Sequence, residues 1–329
     1  MSLEDVLSRL SKTTRDKVLS AKELELVKVP VASMGLNRAL GGGVGKGRIV
    51  TWWGAKSAGK SVICYENIVL AQERGEVCML VDAEDSYDPV WAARLGVDVE
   101  NLIVIREKAI SDVTNIIVDH INAGVETIVL DSISALVPAS FYEKDGSLKN
   151  QEDTGQIGAL SKGIGSMLKI INSVNRGRCT IHLISQFRNK IGAMHTMPAP
   201  EGGEALKFYS SVIVKLWSTA VDAKQIKEDF DIGGKKISKN VGRTVGWVIE
   251  YSKTSEPNQN GSYAMFYHGD NVGIDAASEV VDIAIETGVF VKSGAWVKYG
   301  EEAKYRKHWE DRIRTDVAFK KEILEAIDD

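Results

Sequence analysis

Arg48-Ile49-Val50-Thr51-Trp52-Trp53 runs directly into Gly54-Ala55-Lys56-Ser57-Ala58-Gly59-Lys60-Ser61, and this junction decides the fold. The first half is a near-continuous apolar run of strand length. The second matches GxxxxGK[ST] in full, with helix-forming sequence from residue 60 onward. Each position has a chemical use. Glycines let backbone N–H groups curl around phosphate oxygens, and the helix N-terminus behind them adds partial positive charge. Lys60 reaches the β- and γ-phosphates of a nucleoside triphosphate, and the Ser61 hydroxyl ligates Mg2+. A functionless glycine-rich turn is the alternative, and the strand before and helix after the loop speak against it. The cofactor-binding candidates are therefore Gly54, Ala55, Lys56, Ser57, Ala58, Gly59, Lys60, Ser61 and Val62, with ATP and Mg2+ as ligands.

Outward from this junction the same texture repeats. Residues 77–81, 127–130 and 180–185 are apolar runs suited to parallel strands buried on both faces. Helical patterns near 60–73, 110–123 and 157–173 alternate with them, which predicts a doubly wound α/β sheet. Apolar stretches at 211–217 and 244–251 extend the sheet, with a charged excursion or hairpin between them. After Gly273 the pattern gives a helix over 276–287, a hairpin from GVFV and AWVKY, and a helical stretch at 301–327. Leu3, Val6, Leu7 and Leu10 mark a short amphipathic helix over 2–11, with Ser2 and Asp5 placed as a capping box. The expected division is an N-terminal helical segment (1–29), an ATPase core (30–270) and a small α+β part (271–329).

Composition narrows the class without naming a partner. Of 329 residues, 44% are hydrophobic and 26% charged, an ordinary globular balance. No apolar run approaches the ~20 residues that span a bilayer, and MSLEDVLSRLSKTTRDK is too polar for a signal peptide. Cys64, Cys78 and Cys179 lie in or beside apolar runs without paired spacing, so they read as buried, reduced thiols of a cytosolic protein. The 5 histidines form no metal-ligand pattern. Net charge is −4, from 41 basic and 45 acidic residues, which by itself speaks mildly against nucleic acid and leaves room for a local basic loop.

Two acidic motifs complete a candidate site. Ile128-Val129-Leu130 ends in Asp131, placed as a carboxylate that holds Mg2+ through water. Val81-Asp82-Ala83-Glu84-Asp85 lies at the C-terminal end of the second strand, on the edge where open α/β sheets bind ligands. Glu84 there can deprotonate a water, or belong to a solvated acidic turn.

DAEDSYDPVWAARLGVDVENL (82–102), VLDSISALVP (129–138), SQFRNKIG (185–192), GGEALKFYSSV (202–212) and SGAWVKYG (293–300) resemble, in family order, segments of the RecA-type recombinases of bacteria and phages. The resemblance implies a RecA-like P-loop NTPase fold and assigns roles. Glu84 would activate water, Asp88 and Trp91 would hold the adenine, Tyr267 would join the cofactor site, and Gln186 would sense the γ-phosphate. Arg188 to Gly203 would form a DNA-binding loop through Arg188, Lys190, Ile191, Gly192, Met194, Gly202 and Gly203. Its cations, apolar wedges and glycines suit single-strand binding, and a long irregular loop beside a site is usually functional. A second DNA contact would come from residues 144–156 and from Lys162 and Lys169, which share a helical face. Two lysines on a helix also suit a merely solvated face. Lys253 would complete the ATP site of a neighbouring subunit. The family pairs two lysines there, whereas this chain has Tyr251-Ser252-Lys253, so one cation is missing.

The implied function is an ATP-dependent recombinase. It would act in the cytoplasm of a bacterium or phage-infected host, with single-stranded DNA, homologous duplex DNA and further copies of itself as partners, and no membrane. Two other readings stay open: a ring-forming motor on the same core, and a single-strand-binding protein that uses ATP only as an assembly switch.

Overall fold

The computed structural model describes residues 3–15, 18, 26–143, 158–188, 199–218, 225–232, 235–269 and 271–328. Short helices α1 (Leu3–Ser8) and α2 (Lys12–Arg15) come first, then β1 (Lys28–Val29), α3 (Met34–Ala39) and β2 (Val44–Gly45). The core continues with β3 (Ile49–Gly54), α4 (Lys60–Glu73), β4 (Cys78–Asp82), α5 (Pro89–Arg94), β5 (Leu102–Ile105), α6 (Ile110–Ala123) and β6 (Thr127–Asp131). It is completed by α7 (Ala159–Asn175), β7 (Thr180–Arg188), β8 (Ala199–Pro200), α8 (Glu204–Tyr209) and β9 (Val212–Ser218). Strands β10 (Gln225–Ile232), β11 (Lys235–Ser252), β12 (Asn260–Phe266) and β13 (Gly273–Ile274) follow. Last come α9 (Ala276–Glu286), β14 (Val291–Ser293), β15 (Trp296–Tyr299), β16 (Glu302–Tyr305), α10 (Arg306–Thr315) and α11 (Val317–Asp328).

Strands β9-β3-β7-β6-β4-β5 form a parallel core, and β11, β12 and β13 extend it antiparallel beyond β9. The apolar runs are explained by this placement. Successive side chains point to opposite faces, so Leu80, Val129 and Ile184 pack into one core with Ile63 and Ile68 of α4. Their neighbours Met79, Val81, Ile128, Leu130 and Leu183 pack into a second core with α6 and α7. Both faces are covered, and no residue of β3, β4 or β6 escapes burial. The mostly parallel α/β architecture with a small antiparallel C-terminal part is thus as the sequence pattern predicts.

Several local expectations shift. The first helix ends at Ser8 and is followed by a separate turn of helix, while Ser2 lies outside the described residues. Residues 302–305, expected to be helical, are a strand that makes the hairpin a three-stranded meander. The expected strand at 288–291 begins only at Val291. The excursion between the two late strands is a hairpin, β10–β11. All three cysteines are buried and unpaired, and among the described residues no helix is long and apolar enough to cross a membrane.

The C-terminal part has its own core around Trp309, Phe290 and Ile323. It is fastened to the first core by two carboxylates, one buried and one half-buried. Glu279 accepts from Ser33 Oγ at 2.6 Å and from the Met34 and Gly35 amides, donors at the start of α3. Glu66 of α4 accepts from the Ile274 amide at 2.8 Å, and burial pushes its pKa up to about 7, with Glu279 adding like charge. The folded-state value lies above the ordinary one, so this group's contribution is fully present below about pH 4.5 and is lost as pH rises through 7. Glu66→Gln keeps an acceptor for Ile274 without the charge. In denaturant titrations it should stabilise the chain at pH 8 by on the order of 2 kcal/mol and have little effect at pH 5.

Candidate nucleotide site

β3 lies between β7 and β9, so the loop after Gly54 leaves from the middle of the sheet at the C-terminal edge of its parallel strands. Two glycines set its path. Gly54 sits at φ 153°, where a Cβ would fall 2.0 Å from the Leu216 carbonyl. Gly59 takes φ 88° at the start of α4, and its bare Cα lets the loop pack on Met265, whose Sδ would lie 3.1 Å from a Cβ. Lys60 folds back over the loop and donates to the Gly54 carbonyl at 3.0 Å and the Ala55 carbonyl at 2.7 Å. Burial lowers its pKa, with the charges of Asp131 and Glu84 opposing.

The Ser61 hydroxyl donates to Asp131 Oδ2 at 2.7 Å, so the two proposed metal-side oxygens already face one another. Burial pushes Asp131 up to about 6; the Ser61 bond pulls it down and the Glu84 charge raises it. Hard oxygen donors beside a P-loop lysine fit a hydrated divalent cation carried by nucleotide phosphates. The Asp131 carbonyl accepts from the Ala83 and Glu84 amides, at 2.8 and 3.3 Å, which brings the ends of β4 and β6 together. Glu84 Oε1 then accepts from Ser132 Oγ and from Gln186 Nε2 at 2.8 Å. The Gln186 amide in turn donates to Ser134 Oγ at 2.9 Å, and the Gln186 carbonyl accepts from the Glu201 amide at 3.2 Å.

A cavity of about 270 Å³ collects these groups. Its wall runs from Lys56 through Val62 and includes Glu84, Asp131, Gln186 and Tyr267. It also contains Ile184, Met265 and Arg243, which the sequence reading did not single out. Arg243 closes the basic run Lys235, Lys236 and Lys239, so the sequence does not mark it off from its neighbours. Asp88 and Trp91 are not among the lining residues: Asp88 caps α5 through the Val90 amide at 2.9 Å, and Trp91 packs on the first core with Arg94 stacked 5.5 Å from its ring.

The remaining candidates lie elsewhere. Lys253 is exposed in a separate cavity with Tyr251, Arg48 and Lys207, and donates to the Phe208 carbonyl at 2.8 Å. Lys162 and Lys169 are exposed on α7, opposite its buried Ile164, Met167, Leu168 and Ile171. Arg188 ends β7, where its backbone pairs with Ala199, and Gly202 and Gly203 take φ 103° and 60° just beyond β8. Residues 144–156 and Lys190, Ile191, Gly192 and Met194 lie outside the described residues.

The family pattern described as RecA N-terminal domain matches residues 2–268. Protein RecA of Brucella anthropi is 32% identical over 277 residues, 83% of this chain and 71% of its own. Protein RecA of Blastochloris viridis is 31% identical over 277 residues, 83% of this chain and 74% of its own. Protein RecA of Synechococcus sp. is 34% identical over 276 residues, 83% of this chain and 68% of its own. The match takes in the strand–loop–helix junction, both acidic strand ends and Gln186, so the chain belongs to the RecA family.

Proposed function

We propose that the chain is an ATP-dependent recombinase that polymerises on single-stranded DNA, pairs it with homologous duplex and turns the filament over by ATP hydrolysis. The observation that carries this reading is the hydrogen bond from Gln186 to Glu84. One partner stands in the nucleotide cavity, and the other lies on the strand that leads into the proposed DNA loop. Nucleotide state and DNA contact are thereby joined through one side chain.

In the mechanism, Lys60 shifts its donors from the Gly54 and Ala55 carbonyls to the β- and γ-phosphates, while the loop amides hold the remaining oxygens. Ser61 and Asp131 would hold Mg2+, which when bound would supply positive charge beside the phosphates. Glu84 accepts the proton of the attacking water, oriented by Ser132 and Gln186. Lys253 serves the site of the next subunit. Tyr267 and the pair Asp88 and Trp91 meet the base. Arg188, Lys190, Lys162 and Lys169 contact DNA phosphates, Ile191 and Met194 wedge between bases, and Gly192, Gly202 and Gly203 let the loop approach the strand. The N-terminal segment to residue 29 and the part from residue 271 onward flank the ATPase core.

Strand exchange between circular single-stranded DNA and homologous linear duplex, with ATP, is the direct test. Joint molecules support the reading. ATP-dependent DNA binding without phosphate release leaves only an assembly switch, and closed rings on electron microscopy point to a motor. Gln186→Asn, a methylene too short to span to Glu84, should keep nucleotide binding. It should lower DNA stimulation on the order of tenfold, the worth of one charge-assisted hydrogen bond.

A further inference from the structure

Arg243 stands on β11 opposite Met265 of β12, the residue against which the phosphate loop packs. Its Nη1 donates to the Ser57 carbonyl at 3.1 Å, and its guanidinium lies 5.2 Å from the centre of the Tyr267 ring. Ser57 is at the tip of the loop with φ 61°, a left-handed conformation that a serine seldom takes. Among the described residues no carboxylate pairs with Arg243, and its Nε is buried without a partner. The cavity's acids, Glu84 and Asp131, are held by Gln186, Ser132 and Ser61.

We infer that Arg243 is a nucleotide-binding residue that contacts the polyphosphate on its non-transferred side, from within the same chain as the phosphate loop. This rests on the nucleotide-site reading above. An unneutralised guanidinium keeps further N–H donors in a planar fork, which matches phosphate oxygens better than a base edge. The reacting end of the cavity is marked by Glu84, Gln186 and Asp131. Arg243 is instead bonded to the loop tip and stacked on the ring proposed to meet the base, so it faces the phosphates that stay with the leaving nucleotide. A charge so placed acts on ADP and ATP alike, and needs neither DNA nor a neighbouring subunit.

The test is nucleotide affinity of the full chain without DNA, by calorimetry for ADP and a non-hydrolysable ATP analogue and by competition for adenosine. Arg243→Ala should weaken ADP and the analogue by the same factor, about tenfold or more, as for loss of a charge-assisted hydrogen bond. Adenosine, which has no phosphate, should bind as before. Arg243→Gln keeps a donor for Ser57 without the charge and should show the same loss, so the result does not depend on the alanine variant folding. Unchanged ADP affinity in the glutamine variant overturns the inference, as does an equal loss for adenosine or a loss confined to the ATP analogue. Lys60→Ala, measured alongside, separates the two readings. If it too leaves ADP affinity intact, the nucleotide site itself is misplaced; if it alone abolishes binding, only the role of Arg243 falls.

Discussion

Lys253→Ala is expected to lower DNA-stimulated ATP turnover by about 10³-fold or more, while nucleotide affinity of the isolated chain stays nearly unchanged. The geometry sets the sign of both halves. Ser252 pairs with Val212, and Val212 with Val50, at the start of the parallel strands; Gly54 pairs with Leu216 at their far end. At ~3.3 Å per residue, Lys253 lies roughly 13 Å along the sheet from the loop of its own chain. It lines a different cavity, beside Arg48, whose charge adds to burial in lowering its pKa. In the proposed filament a lysine so placed would serve a γ-phosphate of the adjoining subunit, where trans-acting cations are worth about 10³–10⁵ in rate. Steady-state phosphate release with saturating single-stranded DNA, beside monomer nucleotide titration, checks both halves. An equal loss in the two assays would place the lysine in cis. Tyr251→Lys restores the second cation of the family pattern and should raise stimulated turnover.

Glu84→Gln is expected to slow hydrolysis by about 10²–10⁴-fold, the usual contribution of a general base, with ATP and DNA binding retained. The amide still accepts from Ser132 and Gln186 through its carbonyl oxygen, so the network of 2.8 Å and shorter contacts survives while the proton acceptor is lost. Filaments of this variant should therefore persist where those of the parent chain dissociate, as followed by light scattering after dilution. Unaltered single-turnover hydrolysis would reduce Glu84 to a surface acid.

The elements that sequence read best are those in which local and global signals agree. Helices over 60–73 and 110–123 emerge with those bounds, because Gly59 opens the first and Gly124, at φ 104°, closes the second. Strands β3, β4 and β6 carry near-continuous apolar runs because both faces are covered. β5 escaped notice because every residue of Leu102–Ile105 is only half-buried at the sheet edge. β12 opens on Asn260, Gly261 and Ser262, turn-forming residues that mask the short apolar run Tyr263–Phe266 behind them. Glu302–Tyr305 contains helix-favouring residues, yet cross-strand pairing with β15 overrides that preference. In the candidate site, motif spacing offered Lys60, Ser61 and Asp131 and left Glu84 as either a base or an acidic turn; the resemblance implied the base and added Gln186. Arg243 stayed hidden since its nearness to the loop depends on the register of β11 against β12, which no local pattern encodes.

Strand β7 overshoots the sheet and its last residues pair with β8, Phe187 to Pro200 and Arg188 to Ala199. This two-rung clasp fixes both ends of the segment between them, and Gln186 sits one residue behind the first rung. Closing a connection between two fixed rungs costs only about 0.6 kcal/mol more in entropy for each doubling of its length. Length and composition between the rungs can thus drift while the clasp holds Gln186 in register with Glu84. On the proposed function the segment would be an exchangeable cassette: grafting the corresponding stretch of a relative between Arg188 and Ala199 should change DNA affinity and leave nucleotide binding as it stands.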